Sequence, residues 1–173
     1  MTNATAPETG NTAGAGASPN LVVNGGFERR NYADDTLPDG WSRDQSTRET
    51  ALLVAHDAGL ALHIRNLPDG GAWQNVFQNL TGIHVSRRYA VSFDGWTNGV
   101  YAGRVRIVVF NPTTQEEQRL GGLPFAANSW QRYQFTFETP PTLNGDVRVY
   151  ITPDQYENPA AAVEIDNLAI VPE

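Results

Sequence analysis

From Asn20 onward, short runs of alternating apolar and polar residues are separated by turn-forming residues such as Pro38-Asp39-Gly40 and Asn144-Gly145. Alternation with a period of two is typical of β-strands, whereas an amphipathic helix needs a period near 3.6. The spacing of the runs therefore predicts an all-β sandwich without a helix of useful length. The predicted strands are Leu21–Val23, Ala51–Ala55, Leu60–Arg65, Ala72–Gln78, Arg88–Thr97, Gly103–Phe110, Trp130–Glu138, Asp146–Thr152 and Ala162–Val171.

Alternation also predicts which side chains face the core, because neighbouring residues of a strand point to opposite faces. The predicted inner residues are Tyr89, Val91, Phe93, Val105, Ile107, Val109, Tyr133, Phe135, Phe137, Val147, Val149 and Ile151. The positions between them carry arginine, glutamine, aspartate and aromatic side chains. This outer set includes Asp94, Trp96, Arg104, Arg106, Trp130, Arg132, Gln134, Arg148 and Tyr150.

Composition excludes several classes of protein. The chain has no cysteine, which rules out disulfides, thiolate metal sites and cysteine nucleophiles. No run approaches the ~18 consecutive apolar residues of a membrane helix, so no membrane insertion is expected. The net charge is −7, and all twelve basic residues are arginine. An acidic chain lacks the basic footprint of a general nucleic-acid binder, so no nucleic-acid partner is expected.

The outer set combines flat aromatic rings with planar hydrogen-bonding groups, as sugar recognition requires. A pyranose stacks its C–H face on an aromatic ring, and its hydroxyls need donors and acceptors. The ring candidates are Trp73, Trp96 and Tyr150, and the hydrogen-bonding candidates are Gln74, Arg104, Arg106, Gln134 and Arg148. Alternatively, the arginines solvate a sheet face and protect it from pairing, or contact an acidic partner.

The sequence gives little support to catalysis. His56, His63 and His84 show no spacing suited to a metal or a nucleophile, and nucleophile-elbow, phosphate-loop and dinucleotide fingerprints are missing. The adjacent Glu116 and Glu117 would face opposite ways on a strand, so they do not form a glycosidase pair. We therefore expect a protein that is not an enzyme.

Residues 1–19 differ from everything that follows, because they are small and polar with no large apolar side chain beyond Met1. Such a segment cannot bury enough surface to fold alone. It lacks the basic and apolar regions of a signal peptide. We predict an extended arm or linker over residues 1–19 and one domain over residues 20–173.

Six segments in order resemble the carbohydrate-binding modules of the family 4/9 type. The opening Asn20–Glu28 and Leu37–Trp41 segments carry the resemblance, together with Trp73–Leu80, Tyr89–Phe93, Trp130–Tyr133 and the closing Val163–Ile170. The resemblance implies a galactose-binding-like β-jelly-roll of two antiparallel sheets with a ligand cleft on the concave face. It also implies a stacking aromatic at Trp73 and a cleft that continues to Trp96.

The same resemblance implies a structural Ca²⁺ held by Glu28 and Asp166, with backbone carbonyls from the loop before Leu60. Coordination by oxygen alone is the chemistry that Ca²⁺ prefers. Alternatively, the two carboxylates lie at strand ends and accept hydrogen bonds from backbone amides.

Three settings suit such a domain. The first is a decoration or cement protein on a viral (phage) particle, located at the virion surface. There the arm contacts protein neighbours and the jelly-roll displays a face that binds a polysaccharide or cell-surface glycan. The second is a carbohydrate-binding module of a secreted, extracellular polysaccharide-degrading enzyme. The third is a structural jelly-roll without a ligand.

Overall fold

Ten strands make up the regular secondary structure of the part of the chain that is described. The computed structural model describes residues 18–44, 46–66, 74–99, 102–153 and 161–173. Within these ranges no helix is long and apolar enough to cross a membrane. The strands are β1 (Ser42–Asp44), β2 (Ala51–His56), β3 (Gly59–Arg65), β4 (Asn75–Asn79), β5 (Arg88–Thr97), β6 (Gly103–Asn111), β7 (Glu116–Phe125), β8 (Gln131–Glu138), β9 (Asp146–Pro153) and β10 (Ala162–Pro172).

The strands form two five-stranded antiparallel sheets. Sheet I has the order β1-β4-β9-β6-β7, and sheet II has the order β2-β3-β10-β5-β8. Neighbours within a sheet are often distant in sequence, because the chain crosses between the sheets. This is a β-jelly-roll sandwich, and the predicted all-β fold class is confirmed.

The inner faces of both sheets form one apolar core. Phe93 and Ile165 of sheet II and Val105, Ile107 and Val149 of sheet I are fully buried. The residues predicted to face the core are buried, except that Tyr133 and Phe135 are partly buried and pack against it. Burying an aliphatic side chain contributes about 1.5–3 kcal/mol, so this alternation is the main reason that the two sheets pair.

Predicted strand Leu21–Val23 is wrong, because the segment forms a turn beside β10. The side chain of Asn20 replaces part of a backbone ladder: its Nδ2 donates to the carbonyl of Leu168, and its Oδ1 accepts from Ile170 N at 2.9 Å. Only the amide of Leu21 donates directly to β10, at 2.8 Å from the Ile170 oxygen.

The loop that follows is held against β4 by the side chain of Gln78 and against β10 by a close backbone approach at Gly25. Gln78 accepts from Val23 N at 2.8 Å and donates to the Val23 and Gly40 carbonyls. A Cβ at Gly25 would lie 1.9 Å from the backbone oxygen of Leu168, so only glycine fits there. Phe27 thereby enters the core beside Trp41, with 5.4 Å between the ring centroids.

Strands β1 and β7 are additional to the predicted set, and both lie at the edges of sheet I. Trp130 lies just outside β8, which begins at Gln131. Two outer positions are also buried against expectation, because Val108 and Tyr150 are each only 1% exposed.

Candidate functional site

The outer face of sheet I carries a layer of arginine and aromatic side chains. We call it the arginine–aromatic layer and define it by Phe77, Arg106, Phe110, Arg148 and Tyr150. Tyr150 lies at the centre, paired with Phe77 of β4 on one side and with Arg106 of β6 on the other. Strand alternation places all five residues on the side of the sheet that faces away from the core.

The guanidinium of Arg148 lies over two rings of the layer. Its guanidinium carbon is 3.7 Å from the centroid of Phe110 and 4.7 Å from that of Phe77. Its Nε donates to Asn79 Oδ1 at 2.8 Å, and its Nη1 donates to the Tyr150 hydroxyl at 3.2 Å. Stacking and hydrogen bonding together fix the plane of the guanidinium, so its donors are oriented in advance.

Arg106 repeats this arrangement on the next strand. Its guanidinium carbon lies 4.6 Å from the centroid of Tyr150, and its Nη1 donates to Glu117 of β7 at 2.7 Å. The side chains of Arg106 and Arg148 are 26% and 14% exposed, so parts of both reach the surface. Burial raises the pKa of Tyr150. The hydrogen bond and the charge of Arg148 lower this pKa, but by less, so the phenol stays protonated.

Tyr150 does not present an open ring for stacking, contrary to expectation. It is 1% exposed, because the guanidinium of Arg106 covers its ring. Gln74 is also not available at the surface: it is fully buried, and its Oε1 accepts a hydrogen bond from Thr50 at 2.7 Å. In the structure both residues support neighbouring groups.

The remaining candidates do not all share one face. Arg104 lies on the same outer face as Arg106, opposite Thr152 of β9. Trp96 of β5 and Gln134 of β8 lie on the outer face of sheet II, on the other side of the sandwich. Trp73 lies outside the described residues.

Sequence reasoning missed Phe77 and Phe110 as part of the layer. Both were detectable in principle, because residues an even number of positions apart on one strand share a face. Phe110 is spaced in this way from Arg104 and Arg106, and Phe77 from Trp73. No pattern within a strand shows which outer side chains cover one another, so the stacking with Arg148 could not be anticipated.

The outer face of sheet II contains a shallow groove of about 290 Å³. We call it the sheet II groove and define it by His56, Asp94, Trp130, Arg132 and Asn167, which line it. The turn after β2, the start of β8 and the middle of β5 and β10 meet at this point. Sequence reasoning placed Asp94, Trp130 and Arg132 on an outer face, but it did not bring them to one site.

Glu28 and Asp166 lie beside this groove. Glu28 Oε1 accepts from Leu60 N at 3.1 Å, and Asp166 Oδ1 accepts from Asn167 N at 2.6 Å. Burial raises the pKa of Asp166, and the charges of Glu28 and Asp94 raise it further. The hydrogen bond from Asn167 N lowers this pKa but does not offset the rise.

The donor set there suits a hard cation only in part. The charge of Glu28 adds to the cost of ionising Asp166, which a bound cation would relieve. Among the described residues no three His, Asp or Glu side chains converge to hold a metal. Further ligands would therefore be backbone oxygens, as expected for the loop before Leu60.

Comparisons with known proteins agree with this architecture. The family model described as "Carbohydrate binding domain" matches residues 19–158. No curated protein sequence matches the chain. Among solved structures, a "Family 16 Carbohydrate Binding Module-2" is 19% identical, with a TM-score of 0.65 over 88% of this chain and 99% of that one.

Two further structures are similar in fold. The xylan-binding domain of a Paenibacillus barcinonensis protein is 14% identical, with a TM-score of 0.61 over 90% of this chain and 96% of that one. The enzymatically active domain of a bacteriophage CBA120 tailspike protein is 14% identical, with a TM-score of 0.62 over 89% of this chain and 21% of that one.

Proposed function

Because this chain belongs to the carbohydrate-binding domain family, whose model spans residues 19–158, we propose that it binds a polysaccharide or cell-surface glycan on the outer face of sheet I. The observation that carries this proposal is the fixed guanidinium of Arg148, which lies over two rings and is hydrogen-bonded to Asn79 and Tyr150. A donor group whose plane is fixed before binding loses little entropy when a sugar hydroxyl arrives.

Each member of the surface has a distinct part in the proposed complex. The guanidinium groups donate to hydroxyl or ring oxygens of the sugar, because a guanidinium has five N–H donors and no acceptor. These groups belong to Arg104, Arg106 and Arg148. Glu117 and Asn79 keep the two inner arginines in place. We assign the stacking ring to Trp73, since Tyr150 is covered.

Affinity electrophoresis tests this proposal. The wild type, Trp73→Ala and Arg148→Ala run through gels that contain neutral or acidic polysaccharides. Arg88→Ala is the matched control, because Arg88 is exposed on sheet II and bonded to Glu173. We expect retardation of the wild type and control in at least one gel, and about tenfold weaker retardation of the other two variants.

Equal retardation of all four proteins would place the ligand elsewhere. No retardation in any gel would favour a jelly-roll with a purely structural role.

We propose binding without bond cleavage. The residues of the layer are arginines and aromatics, and the carboxylate beside them, Glu117, accepts a hydrogen bond from Arg106 at 2.7 Å. Incubation of the protein with the polysaccharide that retards it is expected to release no reducing ends.

For the biological setting, we propose a decoration protein at the surface of a phage particle, anchored by an N-terminal arm. The fold likeness to a phage tailspike domain is compatible with this setting. The likeness to a xylan-binding domain supports the alternative equally, a module of a secreted polysaccharide-degrading enzyme. Residues 1–17 of the arm lie outside the described residues.

Deletion of residues 1–19 tests the anchor and is expected to abolish attachment to the particle. Attachment of the truncated protein would contradict the anchor.

We also propose a structural Ca²⁺ at Glu28 and Asp166. The wild type is expected to melt at a lower temperature in EDTA than in calcium. Asp166→Asn should lose this difference, and in EDTA it should melt no lower than the wild type, because it removes a carboxylate whose charge is costly to bury. An unchanged wild-type melting temperature in EDTA would count against the ion.

A further inference from the structure

We propose that the sheet II groove is a second ligand site, separate from the arginine–aromatic layer, which takes one neutral pyranose residue. It lies on the opposite face of the sandwich, since β5, β8 and β10 belong to sheet II. It holds an aromatic ring beside three planar hydrogen-bonding groups, the combination that a pyranose requires.

Trp130 supplies the ring. Its indole stacks on the imidazole of His56, with 3.8 Å between centroids and 23° between planes. This contact joins the start of β8 to the end of β2 and immobilises a large side chain that remains partly exposed. A ring fixed before binding costs little rotamer entropy when a sugar packs against it.

Asp94 supplies the centre of the polar array. Its Oδ1 accepts from Arg132 Nη1 at 3.2 Å, and its Oδ2 accepts from Asn167 Nδ2 at 2.9 Å. Each carboxylate oxygen has a second lone pair, so both oxygens can still accept a hydrogen bond from a sugar hydroxyl. The carboxylate is therefore positioned by protein donors without being saturated by them.

Arg132 and Asn167 flank this carboxylate. Arg132 also donates to Ser92 Oγ at 2.8 Å and to the carbonyl of Asn167 at 3.4 Å. These contacts and the bond to Asp94 use three of the five N–H groups of a guanidinium. The side chain is 45% exposed, so the remaining donors can reach a ligand.

The backbone at Asn167 is specialised to aim this side chain. Asn167 has a φ of +51°, and the register of β10 against β5 shifts between Asp166 and Ala169. A bulge of this kind turns a side chain out of the regular alternation and is common beside binding sites. Without it, Asn167 would point away from Asp94.

Size and charge define the ligand. A volume of about 290 Å³ lies at the lower end of the ~300–1,000 Å³ typical of small-molecule pockets, which suits one sugar residue. Asp57 lines the groove together with Asp94, and these two carboxylates disfavour an anionic sugar. Adjacent hydroxyls of a neutral pyranose match the paired acceptor and donor of Asp94 and Arg132.

Titration of the isotope-labelled full chain with methyl β-D-glucopyranoside, methyl β-D-galactopyranoside or methyl β-D-xylopyranoside tests the proposal. We expect saturable amide shifts at residues 94, 130–132 and 167 with at least one probe, at concentrations up to ~50 mM, since millimolar dissociation constants are weak but measurable. Asp94→Asn and Trp130→Ala should each weaken binding at least tenfold. Arg88→Ala is the control, because Arg88 is exposed on the same face of β5 but does not line the groove.

Asp94→Asn keeps the shape of the side chain, so it separates ligand binding from folding. Saturable shifts confined to the groove, lost in Asp94→Asn and kept in Arg88→Ala, would support the proposal. No saturable shift at these residues, or shifts that persist in Asp94→Asn, would overturn it. The shifts should persist in Arg148→Ala, so failure of this proposal and failure of the proposed site on sheet I give different results.

Discussion

At the scale of single residues, the side chain of Arg43 joins three separate segments of the described chain. It lies on β1 with 15% of its side chain exposed and donates to Asp34, Thr36 and the carbonyls of Thr47 and Ala51. It therefore connects the loop before β1 to the loop that enters β2.

Replacing Arg43 should destabilise the protein much more than replacing an exposed arginine. Arg43→Met removes one of the donors to the Asp34 carboxylate and the Arg43 donor to two carbonyls, which costs about 2–4 kcal/mol. Arg29→Met is the matched control, because Arg29 is 65% exposed and its contact to Asp39 is 3.8 Å long. Urea unfolding of both variants measures the difference, and equal midpoints would contradict it.

The same cluster predicts a dependence of stability on acid pH. Burial alone would raise the pKa of Asp34, but hydrogen bonds from Thr36 and Arg43 outweigh it and lower the pKa from 3.8 to about 2. The folded state therefore prefers the ionised carboxylate. This contribution, about 1–2 kcal/mol, is complete above pH 3.8 and is lost as the pH falls towards 2.

Comparison of the wild type with Asp34→Asn checks this window. The difference in unfolding free energy between the two should be constant above pH 5 or so and should shrink between pH 3.8 and about 2. A difference that grows on acidification would have the wrong sign.

At the scale of elements, the loop before β1 depends on one close approach to β10. Gly25→Ala would place a methyl group 1.9 Å from the Leu168 oxygen, and the hydrogen bond from Leu168 N to Gly25 O, 2.8 Å long, would be strained with it. We expect a loss of more than ~2 kcal/mol. Gly26→Ala is the control, because the nearest atom to its Cβ, Asn167 Oδ1, is 3.9 Å away. Thermal unfolding of the two variants would show equal losses if the close approach were unimportant.

Most elements were predictable, and the exceptions share a physical cause. Alternation appears in a sequence only where one face of a strand is buried and the other is not. The first residues of β7, Glu116–Arg119, are exposed on both sides at the edge of sheet I, so they show no period. Strand β1 has three residues, which is too short for any period to appear.

The same argument explains how far the candidate site could be predicted. Parity within a strand separates inside from outside, and it correctly placed Arg104, Arg106 and Arg148 outside. Parity contains no information about which sheet a strand joins. Trp96 and Gln134 were therefore grouped with residues that lie on the opposite face of the sandwich.

At the scale of the whole molecule, the two proposed sites are separated by the full thickness of the core. They share no side chain, so their binding energies should be independent. In the double variant Arg148→Ala, Trp130→Ala, the polysaccharide affinity should equal that of Arg148→Ala, and the methyl glycoside affinity should equal that of Trp130→Ala. Coupling of more than about 0.5 kcal/mol would indicate one shared site.

The central position of β10 affects how the protein is made. This strand, the last of the ten along the chain, lies between β3 and β5, and it pairs Ile165 with Leu62 about a hundred residues earlier. Until the ribosome has released residues 162–172, β3 and β5 lack their common neighbour, and sheet II is two separate hairpin-like fragments. A nascent chain therefore leaves the edges of β3 and β5 unpaired and their apolar inner faces uncovered until synthesis of the domain is nearly complete. Premature termination before Ala162 would yield a product that cannot close its core, and proteolysis would remove it.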